Sequence, residues 1–229
     1  MEKDVIIACD FKNKEQMEQF LLNFANEKLF LKIGMELFYA TGIEYIKYLK
    51  KQGYKIFLDL KLHDIPTTVF KTIKVLANLD VDIINVHASG GSVMMVAAKD
   101  AIGEKKTKII AVTQLTSTSQ KMLNEELLID KTIMQTVKRY ANNAKNSGLD
   151  GVVCSAQEAL EIKKIDKNFM IVTPGIRLND DENNDQIRVT TPKEAKELGA
   201  THIVVGRSIT KANNPYEIYL KIKKEFLEE

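Results

Sequence analysis

The sequence predicts a single (β/α)8 TIM barrel occupying residues 1–229. Three observations carry this expectation. Eight short, apolar, β-branched runs alternate with longer amphipathic stretches, which is the pattern of a parallel sheet with crossover helices. The length suits a barrel, which needs about 200–250 residues. Gly53, Gly103, Gly148 and Gly199 each stand just ahead of a strand run, where the turn out of a helix favours glycine. A doubly wound open sheet is the competing arrangement, and eight near-regular units favour closure over it.

The elements follow in order. A first strand over 5–9 leads into a helix over 13–27. The second strand, 29–33, precedes a helix over 43–52 that stops at Gly53. The third, 54–60, breaks at Asp64-Ile65-Pro66, and Pro66 opens a helix over 66–79. The fourth strand, 82–87, pairs with a helix over 92–102, and the fifth, 107–113, with one over 131–147. The sixth strand, 150–154, is followed by a helix over 156–164. The seventh, 169–173, runs into a long polar loop before a helix over 192–198, and the eighth strand covers 201–205. Lys221-Ile222-Lys223-Lys224-Glu225 reads as a solvated helix face. No linker, low-complexity tract or long charge block divides the chain.

Composition narrows the function classes. Apolar residues make up 45% and charged residues 28%, the balance of a water-soluble globular domain. Lys and Arg number 33 against 31 Asp and Glu, a net charge of +2, so no overall field draws the chain to nucleic acid or to an anionic membrane. No run approaches the roughly 18 apolar residues of a membrane span. The apolar N-terminal run is too brief for a secretory signal. Cys9 and Cys154 each lie in an apolar run and read as buried free thiols, which fits a cytoplasmic location.

In such barrels the site lies at the C-terminal ends of the strands. Asp10, Lys32, Asp59, Lys61, Thr116, Arg177, Gly206 and Arg207 all fall there. On an extended strand Asp59 and Lys61 share a face, with Cα atoms roughly 6.6 Å apart. Leu58, Leu60 and Leu62 take the other face, and Asp64 adds a second carboxylate just past the strand. An ammonium between two carboxylates is a candidate proton donor that needs no metal; a plain ion-paired strand end is the bland reading. Lys32, inside a strand, is costly unless it meets the carboxylates of the third strand, or else it snorkels outward on the helix side. Asp10 is either a site residue or the cap of the helix beginning near Asn13.

The loops after strands seven and eight usually hold phosphate in this fold. Here they carry Pro174-Gly175-Ile176-Arg177 and Gly206-Arg207-Ser208, with glycine for close backbone approach and arginine for bidentate contact. The segment after Gly206 can open a helix whose N–H groups face an anion. The polar loop over 178–191 is long enough to act as a lid. Only three histidines occur, His63, His87 and His202, and none has a partner at metal-ligand spacing. Asp59, His63 and Asp64 could gather about a divalent ion, but Lys61 already brings a cation there. His87 is expected to support the site through a hydrogen bond, and His202 to be structural.

The run Phe57-Leu58-Asp59-Leu60-Lys61-Leu62-His63-Asp64-Ile65-Pro66-Thr67-Thr68 resembles the Asp-x-Lys-x-x-Asp signature of the orotidine 5′-phosphate decarboxylase family. The resemblance continues, in order and over nearly the whole chain. It includes Ala8-Cys9-Asp10, Leu31-Lys32-Ile33-Gly34, Val112-Thr113-Gln114-Leu115-Thr116-Ser117, Val172-Thr173-Pro174-Gly175-Ile176-Arg177 and Val204-Val205-Gly206-Arg207-Ser208. It implies a homodimer that decarboxylates orotidine 5′-monophosphate to uridine 5′-monophosphate in pyrimidine biosynthesis, with no cofactor and no metal. Lys61 would donate the proton within a network of Asp59, Asp64 and Lys32. Asp10 and Lys32 would meet the ribose, Thr116 the pyrimidine edge, and Pro174, Arg177, Gly206 and Arg207 the end of the site that holds phosphate. Gln186 would bridge phosphate and base from the loop. Asp64, Ile65 and Thr68 would reach into the neighbouring subunit's site. A Mg²⁺-dependent sugar-phosphate lyase on the same barrel and a non-catalytic nucleotide-binding protein are the competing functions.

Overall fold

The computed structural model describes residues 3–25, 27–178 and 189–228. Its eight strands close into one parallel barrel in sequence order. They are β1 (Asp4–Ala8), β2 (Phe30–Gly34), β3 (Lys55–Leu62), β4 (Ile83–His87), β5 (Lys108–Val112), β6 (Gly151–Val153), β7 (Met170–Thr173) and β8 (His202–Val205). Between them lie α1 (Lys14–Leu21), α2 (Met35–Lys51), α3 (Pro66–Ala77), α4 (Gly91–Asp100), α5 (Gln120–Glu125), α6 (Ile133–Asn146), α7 (Ala156–Ile165) and α8 (Pro192–Glu197). Then α9 (Arg207–Thr210) and α10 (Pro215–Leu227) follow β8. The barrel displaces the open-sheet alternative, because β1 pairs with both β2 and β8.

Alternation along the strands builds two cores. Ile6, Ala8, Phe30, Phe57, Ile83, Ile110, Met170, Val172 and Val204 fill the barrel interior. Their neighbours, such as Val5, Ile7, Leu31, Ile33, Leu58 and Ile84, turn outward and pack under the helices. Gly151 is dictated by closeness: a Cβ there would stand 2.3 Å from the Met170 carbonyl oxygen.

Helix ends match their sequence signals. Asn13 caps α1 by accepting from Gln16 N, so Asp10 is not that helix's cap. Thr132 and Gln135 form a capping box on α6, and Thr191 and Glu194 form one on α8. Gly53, Gly103, Gly148 and Gly199 all take positive φ, as expected of helix stops. The helix expected over 43–52 is the second half of α2, which Gly42 breaks at φ 71°. The first helix is shorter than expected: α1 ends at Leu21 and a 3-10 turn over Leu22–Phe24 completes it. The C-terminal charged stretch lies on α10, whose Tyr219, Ile222 and Phe226 are buried, so the helix is also a packing element. No helix among the described residues is long and apolar enough to cross a membrane.

Candidate active site

At the C-terminal ends of the strands lies a cleft of about 770 Å³. Its wall includes Asp10, Lys32, Asp59, Lys61, Thr116, Pro174, Arg177, Gly206 and Arg207. These residues come from six different strands or the loops that follow them, and the barrel brings them to one end. The opposite end has a depression of about 600 Å³ that also contains lysines. There Lys55 pairs with Asp4, Lys105 with Asp80 and Lys108 with Asp150, as at an ordinary ion-paired surface.

Lys32 and Asp59 are the buried centre of the cleft, 9% and 8% exposed. Lys32 Nζ lies 2.9 Å from Asp10 Oδ1 and 3.2 Å from Asp59 Oδ2. Asp59 Oδ1 accepts from Lys61 Nζ at 2.7 Å and from Asn85 Nδ2 at 2.6 Å. The four charges therefore alternate as Asp10, Lys32, Asp59, Lys61. Burial alone would raise the Asp59 pKa, but Lys32 and Lys61 outweigh it, and the carboxyl is held below its ordinary value. Burial likewise disfavours the Lys32 ammonium, and Asp59 and Asp10 reverse that, raising its pKa. Lys32 thus meets the third-strand carboxylate as expected and does not snorkel outward.

Local structure at Lys61 departs from plain strand alternation. Its φ is 50°, in the left-handed region that a lysine seldom adopts. The β3–β4 register shifts here: Leu58 pairs with Ile84, and Leu62 pairs with Val86. Four steps along β3 match two along β4, so a bulge, not simple period-two spacing, aims Lys61 at Asp59. Lys61 N donates to Asn85 Oδ1 at 2.8 Å. Asn85 is fully buried and escaped the sequence reading. Its signal was available: a lone polar residue in Ile83-Ile84-Asn85-Val86, with the inward parity of Ile83.

Three expected residues do not join the cleft within one chain. Asp64, Ile65 and Thr68 are exposed, Ile65 to 67%, and are absent from the described lining. Asp64 Oδ1 accepts from Ile65 N at 2.6 Å and forms no ion pair with Lys61. Within one chain Asp59 is therefore the carboxylate partner of Lys61, and the turn ahead of α3, which opens at Pro66, carries Asp64 away from it. Gln186 and the loop over 179–188 lie outside the described residues.

On the other wall, Arg177 is 8% exposed, and one of its guanidinium nitrogens donates to Ile176 O at 2.8 Å. Gly206 precedes α9, and a Cβ at Gly206 would stand 3.5 Å from that of Ala8, an ordinary contact. Glycine is therefore not forced there by protein packing alone. His87 lies against His63 with ring centroids 5.5 Å apart. Burial, His63 and Lys61 lower its pKa. The hydrogen bond expected of His87 is not formed among the described residues. His202 is buried near the opposite end, bonded to Thr201 Oγ1 at 3.0 Å, in keeping with a structural part. Among the described residues no three His, Cys, Asp or Glu side chains gather as a metal site.

A closed parallel barrel with an interleaved lysine–carboxylate network and two arginines at one mouth defines a (β/α)8-barrel enzyme. The chain belongs to the Orotidine 5′-phosphate decarboxylase / HUMPS family, whose sequence profile matches residues 3–222. It is 54% identical over 233 residues to the orotidine 5′-phosphate decarboxylase of Bacillus cytotoxicus, covering 99% of this chain and 98% of the relative. The crystal structure of orotidine 5′-phosphate decarboxylase from Lactobacillus acidophilus superposes with a TM-score of 0.88 at 45% identity, covering 98% of this chain and 99% of that one. The enzyme from Methanocaldococcus jannaschii complexed with the inhibitor BMP, at 22% identity and a TM-score of 0.79 over both full chains, shares the fold.

Proposed function

We propose that this chain decarboxylates orotidine 5′-monophosphate to uridine 5′-monophosphate, the reaction named for its 54%-identical relative. The observation that carries the reading is the Lys32–Asp59–Lys61 network, held at 2.7 and 3.2 Å in a cleft also lined by Arg177 and Arg207. The bond from the ring carbon to the carboxylate breaks, and its electron pair stays on that carbon. The Lys61 ammonium faces this developing charge and gives the carbon a proton. Lys61 is left as an amine and regains its proton from water. Asp59 aims Lys61, and Lys32 keeps Asp59 ionised and still. Fixed charges of this kind lower the barrier because they need not reorganise as the charge develops.

Asp10 and Lys32 meet the ribose, and Thr116 the pyrimidine edge. Pro174, Arg177, Gly206 and Arg207 form the phosphate end, with Gln186 joining phosphate to base. Binding energy from the distant phosphate is realised in the transition state. The carboxylates that a Mg²⁺-dependent lyase would offer its ion already have ammonium partners, which favours the metal-free reaction.

The working unit in this proposal is a homodimer. The exposed Asp64, Ile65 and Thr68 support it, because they suit a site completed across an interface. Asp64 of the partner subunit would be the second carboxylate beside Lys61. A cytoplasmic location is supported by two buried free cysteines, Cys9 and Cys154.

The test is turnover by the purified chain after exhaustive chelation and dialysis, followed by loss of orotate absorbance. Undiminished conversion to uridine 5′-monophosphate is expected. Absence of conversion, or conversion only on adding Mg²⁺, would overturn the reading.

A further inference from the structure

Asn85 joins two features of the cleft that would otherwise be independent. The Lys61 main chain sits in the β3 bulge with φ 50°, a left-handed conformation that a non-glycine residue holds only where its surroundings fix it. In the bulge its N–H donates to a side chain, Asn85 Oδ1, at 2.8 Å. The other end of that amide, Nδ2, donates at 2.6 Å to Asp59 Oδ1, the same oxygen that receives Lys61 Nζ at 2.7 Å. A ring of hydrogen bonds thus runs from the Lys61 backbone through Asn85 and Asp59 to the Lys61 ammonium. Asn85 is fully buried, so water does not compete for either contact.

We infer that Asn85 is a positioning residue for the proton transfer, setting the direction in which Lys61 presents its ammonium. The inference rests on the decarboxylase reading above. The chemistry of the ring demands one acceptor and one donor on the same planar group. Leucine supplies neither. An ionised aspartate supplies two acceptors, one of them aimed at Asp59 Oδ1 with no proton between them. A protonated aspartic acid supplies both, with its carbonyl facing Lys61 N and its hydroxyl facing Asp59.

This requirement gives a signature that packing alone would not produce. Asn85→Leu should lower kcat roughly 10- to 100-fold, the scale expected when a reacting group is displaced by about 1 Å. KM should stay within a few-fold, because the arginine wall is untouched. Asn85→Asp should recover much of this loss at the lowest pH where the protein stays folded, and lose activity as its new carboxyl ionises. The parent chain, assayed over the same range, should lack that fall. The variants are compared as folded proteins by circular dichroism and denaturant unfolding. If Asn85→Leu does not fold, the Asn85→Asp profile decides alone. If the parent chain fails to decarboxylate, the underlying reading falls and this inference with it. If the parent works and Asn85→Leu keeps kcat within about threefold, or Asn85→Asp follows the parent's pH profile, only the inference is overturned.

Discussion

The Lys32–Asp59 pair shows how a single side chain governs the site. Two ionisable groups 9% and 8% exposed would each be costly alone, and each is tolerable because the other is there. Asp59 could be placed beside Lys32 from the sequence, since a lysine inside an apolar strand needs a carboxylate. Its bond to Asn85 could not, because that contact spans two strands whose register shifts between them. The phosphate end makes a separate prediction. If Arg207 grips the phosphate as proposed, Arg207→Ala removes a charge-assisted contact and should lower kcat/KM by about 1.5–3 kcal/mol. The loss should be much smaller for the corresponding nucleoside without phosphate. Steady-state assays on both substrates check this, and equal losses would show that Arg207 does not touch the phosphate.

At the scale of elements, strand positions were legible and helix boundaries less so. Each expected strand overlaps an observed one, because buried β-branched runs mark them and a glycine precedes β3, β5, β6 and β8. The short α5 was missed: six residues with only Leu123 buried give no periodic signal. The expected same-face pairing of Asp59 and Lys61 needed the β3 bulge, which no periodic pattern contains. β8 has its own testable property. His202 is buried, and desolvation lowers its pKa from 6.5 to about 4, with Asp4 opposing and Lys55 adding. The folded chain therefore binds its proton less readily than the open chain does. This contribution to stability is complete above pH 6.5 and is lost as pH falls towards 4. Its full size is on the order of 3 kcal/mol. Denaturant unfolding at pH 7.5 and pH 5 should show less pH dependence in His202→Gln than in the parent. Identical pH dependence in the two would contradict it.

For the whole molecule, closure of the barrel converts residues distant in sequence into one cleft, and this was legible because each expected cleft residue lies at the C-terminal end of a strand or in the loop after it. What one chain leaves out is equally informative. Asp64 and Thr68 sit outside the cleft that Asp59 and Lys61 line. If two subunits share their sites, mixing inactive Lys61→Ala with inactive Asp64→Ala should restore activity. One hybrid site then carries both lesions and the other carries none, so up to about one intact site per heterodimer reappears. No recovery, with subunit exchange verified, would place Asp64 in its own chain's site. In the proposed reaction a fixed Lys61 ammonium, aimed by Asp59, protonates the carbon that loses carbon dioxide. Its most direct test is single-turnover decarboxylation of orotidine 5′-monophosphate by folded Lys61→Ala beside the parent chain. Near-complete loss of the chemical step is expected; if the variant keeps more than about a tenth of the parent rate, a barrier change below 1.4 kcal/mol, Lys61 is not the proton donor.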